Sequence, residues 1–485
     1  MGKLYNEEIY AKVSQWFEEH ADEMTEDIKR IVRFPSVSNH EPAPGEEPFG
    51  QACRDVLDDM LAMGREYGFY TENKEYYVGT IGKENPDWSN TIGMWNHLDV
   101  VPTGVGWAHD PFDAYVKDGY LIGRGVADNK GPAVAMLYMM RCLRDLNIPM
   151  KHELCLFVGC DEEKGMLDMK YYTEHYPTPA ISLIADCGFP VCYGEKGILE
   201  GKSITGTLSD DIVELYGGNA SNMIPDRAFL TLKKELTAEE VAALQAQFGE
   251  RIEVTYENGL LKLMAIGMSR HSAAPDGSIN AIHELAVLVG EAGLLCENDQ
   301  KYMDFLAYAT SDFHGEWAGI NFEDEISGKL TCAGTVLKLN DHKASLLYNI
   351  RYSITADAKF IESQLAKTSN ERGMDFELVA NSNPGYFPRE RKVVDLLTDV
   401  YNEITGLETK PYVMGGGTYA RKLPNAMAYG LGGVPKRPGT PVLTPEKGHG
   451  GAHEPDEMLD LLNQLDAAKV FTMAVLALND YDLSE

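Results

Sequence analysis

The sequence predicts an α/β protein: a parallel-rich mixed sheet with helices on both faces, plus an inserted α+β domain. Three observations carry this. The 485 residues exceed what one hydrophobic core usually serves, so two domains are expected. Short apolar runs alternate with helical patterns up to about residue 194, the mark of parallel β/α construction. From residue 195 to about 385 the pattern changes to successive strands with segregated helices. The expected division is a discontinuous first domain, 1–194 and 386–485, interrupted by a lid domain at 195–385.

Taken in order, Asn6 caps a helical segment that puts Ile9, Val13, Trp16 and Phe17 on one stripe. Met24, Ile28, Ile31 and Val32 continue it, Pro35 ends it, and 40–48 is a loop. Residues 91–96, 153–159 and 181–185 read as strands, and 133–146 as a strongly apolar helix. In the insertion, 212–215, 229–232, 251–256 and 260–268 read as strands, and 238–248 and 279–294 as helices. Segments 335–339 and 345–354 form a hairpin around Asn340-Asp341, followed by a helix at 359–368. After Asn383-Pro384-Gly385 come a helix at 391–405 and the glycine-rich stretch 415–418.

Lys and Arg number 43 against 75 Asp and Glu, a net charge of −32. That excess repels phosphate backbones and anionic lipid, so neither nucleic acid nor a membrane is expected as a partner. Some of the carboxylates are available to hold cations. No uncharged run reaches the ~18 residues needed to span a bilayer. The first residues lack a basic stretch followed by an apolar one, and Gly2 misses the lipidation pattern because position 6 is Asn. Eight cysteines occur without a Cys-x-x-Cys pair, which suits reduced thiols and a cytoplasmic protein.

Every acidic or imidazole cluster of the first domain follows an apolar strand, at the edge where open parallel sheets bind ligands. In His97-Leu98-Asp99, residues i and i+2 point the same way, so His97 could bind a metal while Asp99 accepts from its other ring nitrogen. Taken alone, an Asp capping a helix beside an ordinary His is the simpler reading. Asp128 sits in Gly123-Arg-Gly-Val-Ala-Asp-Asn-Lys-Gly131, where glycines allow a sharp turn. Its two oxygens suit a pair of cations ~3.5–4 Å apart, although a solvated turn acid is the simpler alternative. In Asp161-Glu162-Glu163 one acid can be a ligand while its neighbour serves as general base; the plain alternative is a solvated acidic loop. Asp186 is a fourth strand-end acid, and His449-Gly-Gly-Ala-His453-Glu-Pro-Asp-Glu457 offers two imidazoles. Gly450 and Gly451 disfavour a helical His-Glu-x-x-His motif there. The coincidence of these groups at one sheet edge favours a metal centre.

His97-Leu-Asp-Val-Val-Pro102, the Gly123–Gly131 segment, Cys160-Asp-Glu-Glu-Lys-Gly165 and His453-Glu-Pro-Asp-Glu457 occur in an order that resembles the co-catalytic zinc exopeptidases of peptidase family M20. These include aminoacylase, carboxypeptidase G, carnosinase and the bacterial PepV-type dipeptidases. The PepV-type branch is the most similar, through Trp107-Ala-His-Asp-Pro-Phe112, Gly328-Lys-Leu-Thr331, Asn349-Ile-Arg-Tyr352 and Gly415-Gly-Gly-Thr-Tyr-Ala-Arg421. The resemblance implies two divalent metal ions bridged by Asp128, with His97 and Asp186 completing one site and Glu163 and His453 the other. Zinc is the default, and manganese or cobalt suits so oxygen-rich a set. It further implies that Asp99 orients His97, that Glu162 is the general base, and that the Asp128–Asn129 peptide is cis. His449 matches no family ligand.

In the inserted lid, the resemblance gives His271 the oxyanion, with Asn222 nearby, and gives Arg351 the substrate carboxylate. Gly416 and Thr418 join the substrate-binding set. Arg270 and Ser272 flank His271 where the family commonly has small residues. A lid this long implies an active monomer. The function expected is hydrolysis of unblocked dipeptides. An N-acyl amino acid deacylase on the same scaffold and a non-catalytic binding protein are the alternatives.

Overall fold

The Asn6 carboxamide accepts the N–H groups of Glu8 and Ile9 and so starts the helix Glu7–Glu19. The single stripe expected up to Pro35 is broken at His20, whose φ of −108° and ψ of 11° leave the helical region, and Ala21–Val32 forms a second helix. The first buries Val13, Trp16 and Phe17 of its expected stripe and leaves Ile9 half-buried, and the second buries Met24, Ile28, Ile31 and Val32. The computed structural model describes residues 3–484, so Gly2 lies outside the described residues.

The chain forms two compact units. One comprises the chain through Tyr193, Tyr386–Tyr412 and the chain from Gly417 on; the other comprises Gly194–Gly385 and Val413–Gly416. The short stretch Val413–Gly416, which the sequence reading assigns to the first domain, packs with the second unit. Lys196 N–H donates to the Met414 carbonyl there.

The first unit is built on a mixed sheet whose strands lie in the order Tyr70–Lys74, Val78–Gly82, Glu153–Gly159, Thr91–His97, Ile181–Ile184, Ala426–Tyr429. The last four of these are parallel, and the first two add antiparallel. Register decides what this does for function. Thr91–His97 pairs along its length with Glu153–Gly159, so His97 lies opposite Gly159, and Trp95 lies opposite Ile184. Three parallel strands therefore end together, and the residues following each emerge at one edge.

Helix Lys130–Asp145 packs against Thr91–His97 and Glu153–Gly159 and is buried through almost its whole length. Leu461–Leu478 is long and apolar enough to cross a membrane by length and composition, but 67% of it is buried, as befits a core helix packed on Lys130–Asp145 and Lys392–Thr405. All eight cysteines are free thiols, and of these Cys296 alone is exposed.

The second unit is an antiparallel sheet with its own core. Its order is Ile252–Glu257, Leu260–Ile266, Arg227–Lys233, Ile212–Gly217, Thr331–Asn340, Lys343–Tyr352, Gly197–Ile204, Asp375–Ser382. The middle is joined through two residue pairs, Tyr216 with Lys338 and Gly217 with Leu337. The hairpin turn lies one residue later than expected. Asn340 pairs with Lys343, and the two turn residues, Asp341 and His342, have φ of 48° and 59°, as a turn matching the strand twist requires.

A candidate metal centre

At the shared strand edge the two oxygens of Asp128 face different imidazoles. Oδ1 lies 3.0 Å from His97 Nε2, and Oδ2 lies 3.3 Å from His453 Nε2. His453 Nε2 is also 2.9 Å from Glu163 Oε1, and His97 Nε2 is 3.9 Å from Asp186 Oδ2. Donor atoms of His97, Asp128 and Glu163 lie within 4.8 Å of one another, as do those of His97, Glu162 and Asp186. The structure thus brings together His97, Asp128, Glu162, Glu163, Asp186 and His453. The peptide Asp128–Asn129 is cis.

The supports are as specific as the cluster. His97 Nδ1 lies 3.0 Å from the backbone carbonyl of Asp99 and 3.4 Å from its carboxylate. That carboxylate is itself occupied by the N–H groups of Glu162 (3.1 Å) and Glu163 (3.0 Å). Asp99 therefore fixes the acidic loop with its side chain and the imidazole mainly with its backbone. Asn129 donates to Asp186 Oδ1 (2.9 Å) and accepts from Asn96 and from the N–H of His97. Asp168, also buried, accepts the N–H groups of Cys160 and Asp161 and the Tyr419 hydroxyl.

Charge within the cluster is unbalanced. Burial disfavours protonated His97, but hydrogen bonds to Asp128 and Asp99 outweigh it and raise its pKa well above the usual value. Hydrogen bonds to Asp128 and Glu163 push His453 up to about 10. Burial would raise Asp128, yet the two imidazoles hold it well below the ordinary carboxylate range. Glu162 moves the other way: burial, with the charges of Asp186, Glu163 and Asp128, raises its pKa far above that of a free carboxyl. Its Oε1 is buried and has no hydrogen-bond partner. Four carboxylates around two imidazoles, with one acid oxygen left unsatisfied, are a donor set that fits divalent cations. His97 is buried whereas the His453 side chain is 45% exposed, so the cluster opens to solvent on the His453 side.

The second unit gathers another group of the expected residues. Arg351, 6% exposed, donates from Nε to Asn349 Oδ1 (2.8 Å) and from Nη1 to the Gly415 carbonyl (2.9 Å). Ser272 Oγ donates to the same Asn349 oxygen at 2.7 Å. Met223 and His271 form a β-bridge, and Ser272 N–H donates to the Asn222 carbonyl, so Asn222 and exposed His271 stand on paired segments. Gly416 belongs to this unit, whereas buried Thr418 belongs to the first, where its hydroxyl caps the turn Tyr419–Arg421.

Sequence reading missed Asn349, Ser272, Asn129 and Asp168. Asn349 carried a signal, two residues before Arg351 on one strand face. Ser272, noted above only as a departure from the family pattern, is explained by its bond to Asn349.

A profile described as Peptidase family M20/M25/M40 matches residues 94–477. Among curated proteins, the chain is 30% identical over 473 residues to the "Putative dipeptidase YtjP" of Bacillus subtilis, covering 94% of this chain and 97% of that one. It is 29% identical over 427 residues to a Staphylococcus epidermidis protein of the same description, covering 85% and 90%. Among solved structures, human carnosine dipeptidase 1 shares the fold with a TM-score of 0.56 at 15% identity, over 97% of this chain and 99% of that one. The matched span encloses every residue of the cluster, and the chain belongs to peptidase family M20/M25/M40.

Proposed function

We propose that the chain is a metal-dependent dipeptidase that hydrolyses unblocked dipeptides. The observation that carries this is the placement of the two Asp128 oxygens against different imidazoles, 3.0 and 3.3 Å away, with the buried Oε1 of Glu162 in the same cluster. His97, Asp128 and Asp186 would hold one divalent cation, and Asp128, Glu163 and His453 a second. Such ions supply polarisation of a peptide carbonyl and acidification of water.

Glu162 takes a proton from the attacking water and delivers it to the leaving amine. His271 is assigned to the oxyanion of the tetrahedral intermediate, and Arg351 to the substrate carboxylate, for which a guanidinium fork is well shaped. Relatives that carry the name "Putative dipeptidase", aligned over 97% and 90% of their length, support the substrate class.

The test is a panel of dipeptides and matched N-acetyl amino acids given to metal-stripped protein resupplied with zinc, manganese or cobalt. Cleavage of free dipeptides alone, restored by metal, is expected. Cleavage of the acetylated compounds instead would make the chain a deacylase, and silence on both would leave a binding protein.

A further inference from the structure

Residues between strand Tyr120–Ile122 and helix Lys130–Asp145 deliver Asp128 without ladder or helix partners of their own. Buried N–H groups in such a loop need acceptors. Glu457, 0% exposed, supplies them. Its Oε1 accepts the N–H groups of Ala127 (2.9 Å) and Asp128 (3.0 Å). Its Oε2 accepts the N–H of Gly125 (2.9 Å) and Nη1 of Arg124 (2.8 Å). Its backbone carbonyl takes the Gly123 N–H at 2.9 Å.

Glu457 sits four residues after His453, at the end of a turn closed by its chain neighbours. Gly450 N–H donates to the Pro455 carbonyl, and Met458 N–H returns to the Gly450 carbonyl. The neighbouring Asp456 accepts from His449 Nδ1 (2.7 Å) and from the Ala108 N–H (2.9 Å). His449 thereby has a place outside the cluster, bracing the turn. Met458–Asp460 then pairs with Tyr120–Ile122, the strand that starts the Asp128 loop.

We infer that Glu457 is a positioning residue that locks the Asp128 loop to the His453 turn, so that the oxygens of Asp128 and the imidazole of His453 keep the spacing two cations need. This rests on the metal-centre reading above. A carboxylate suits the task because both oxygens can accept two donors each. An amide at this position would turn its NH2 towards one pair of N–H groups and leave them unsatisfied.

The test is calorimetric titration of zinc or manganese into metal-stripped Glu457→Gln and Glu457→Asp, with circular dichroism as the fold check. Glu457→Gln is expected to bind the ions about 10–100-fold more weakly, as loss of a group supporting a ligand usually does. Its kcat should recover in excess metal with KM within about twofold of the parent, and its metal-induced rise in Tm should shrink. Glu457→Asp, which keeps two acceptor oxygens, should fall between it and the parent. Parent-like metal affinity in folded Glu457→Gln would overturn the inference. Should that variant not fold, parent-like affinity in Glu457→Asp would overturn it. The titration needs no substrate. A parent chain that binds two ions but cleaves no dipeptide would therefore refute the proposed activity and leave this inference standing.

Discussion

The cluster of the first unit and the Arg351 group of the second are held by opposite means. Around Asp128 the functional side chains are ionisable and bond one another, while buried carboxylates, Asp99, Asp168 and Glu457, hold the surrounding backbone. Around Arg351 one guanidinium is oriented by neutral oxygens, from Asn349 and Gly415, and a serine hydroxyl braces the amide. The first arrangement concentrates negative charge and calls for cations. The second holds a guanidinium in place through the oxygens of Asn349 and Gly415. Substitutions in the two regions should therefore separate: the first should govern metal binding and turnover, the second KM.

The largest effect is expected from Glu162→Gln. Turnover should fall about 10²–10⁴-fold, the usual worth of a general base, while the chain still takes up metal. Retained turnover would remove Glu162 from that role and break the contrast at its centre. Next comes pH. His97 and His453, with pKa values raised by the carboxylates facing them, hold protons near neutrality. A cation must displace those protons, so affinity should climb as pH rises from about 6 towards 10, by about tenfold per unit for each proton released. Calorimetry in buffers of differing ionisation heat counts the protons, and a pH-independent affinity would contradict the assigned ligands.

In the second unit, Arg351→Met should raise KM about 10–100-fold for dipeptides with a free carboxylate, the worth of a charged hydrogen bond. Amidated substrates should be unaffected, and metal uptake should not change. Equal losses on both substrate types would remove the carboxylate role. The smallest effect is expected from Ser272→Ala. It removes one of the two donors to the Asn349 side-chain oxygen, at a cost of about 0.5–1.5 kcal/mol, and should raise KM several-fold without changing kcat or metal affinity. A change in metal affinity here would show that the two regions are not separable.

Residues close in sequence were legible where chemistry demanded a type. His97, Asp128, Glu163, Asp186 and His453 each follow an apolar strand or sit among glycines, and the structure brings all five within a few ångströms. The helix expected at 238–248 forms over Ala238–Phe248, where the structure shows Thr237 and Glu240 making a capping box. The break at His20 was not legible, since the apolar stripe continues on both sides of it. Nor were Asp168 and Glu457 assigned roles. A buried acid that accepts backbone N–H groups looks in sequence like any other acid.

By itself, the sequence determined the strands, the residues at their ends and the charge excess, because these follow from local periodicity and residue type. Only the tertiary structure decided that His97 lies opposite Gly159, that Asp128 turns one oxygen to each imidazole, and that a carboxylate more than three hundred residues away holds its loop. Register and hydrogen-bond partners between distant segments depend on how strands pair and which buried donors lack an acceptor, and neither is written in any local stretch of the chain.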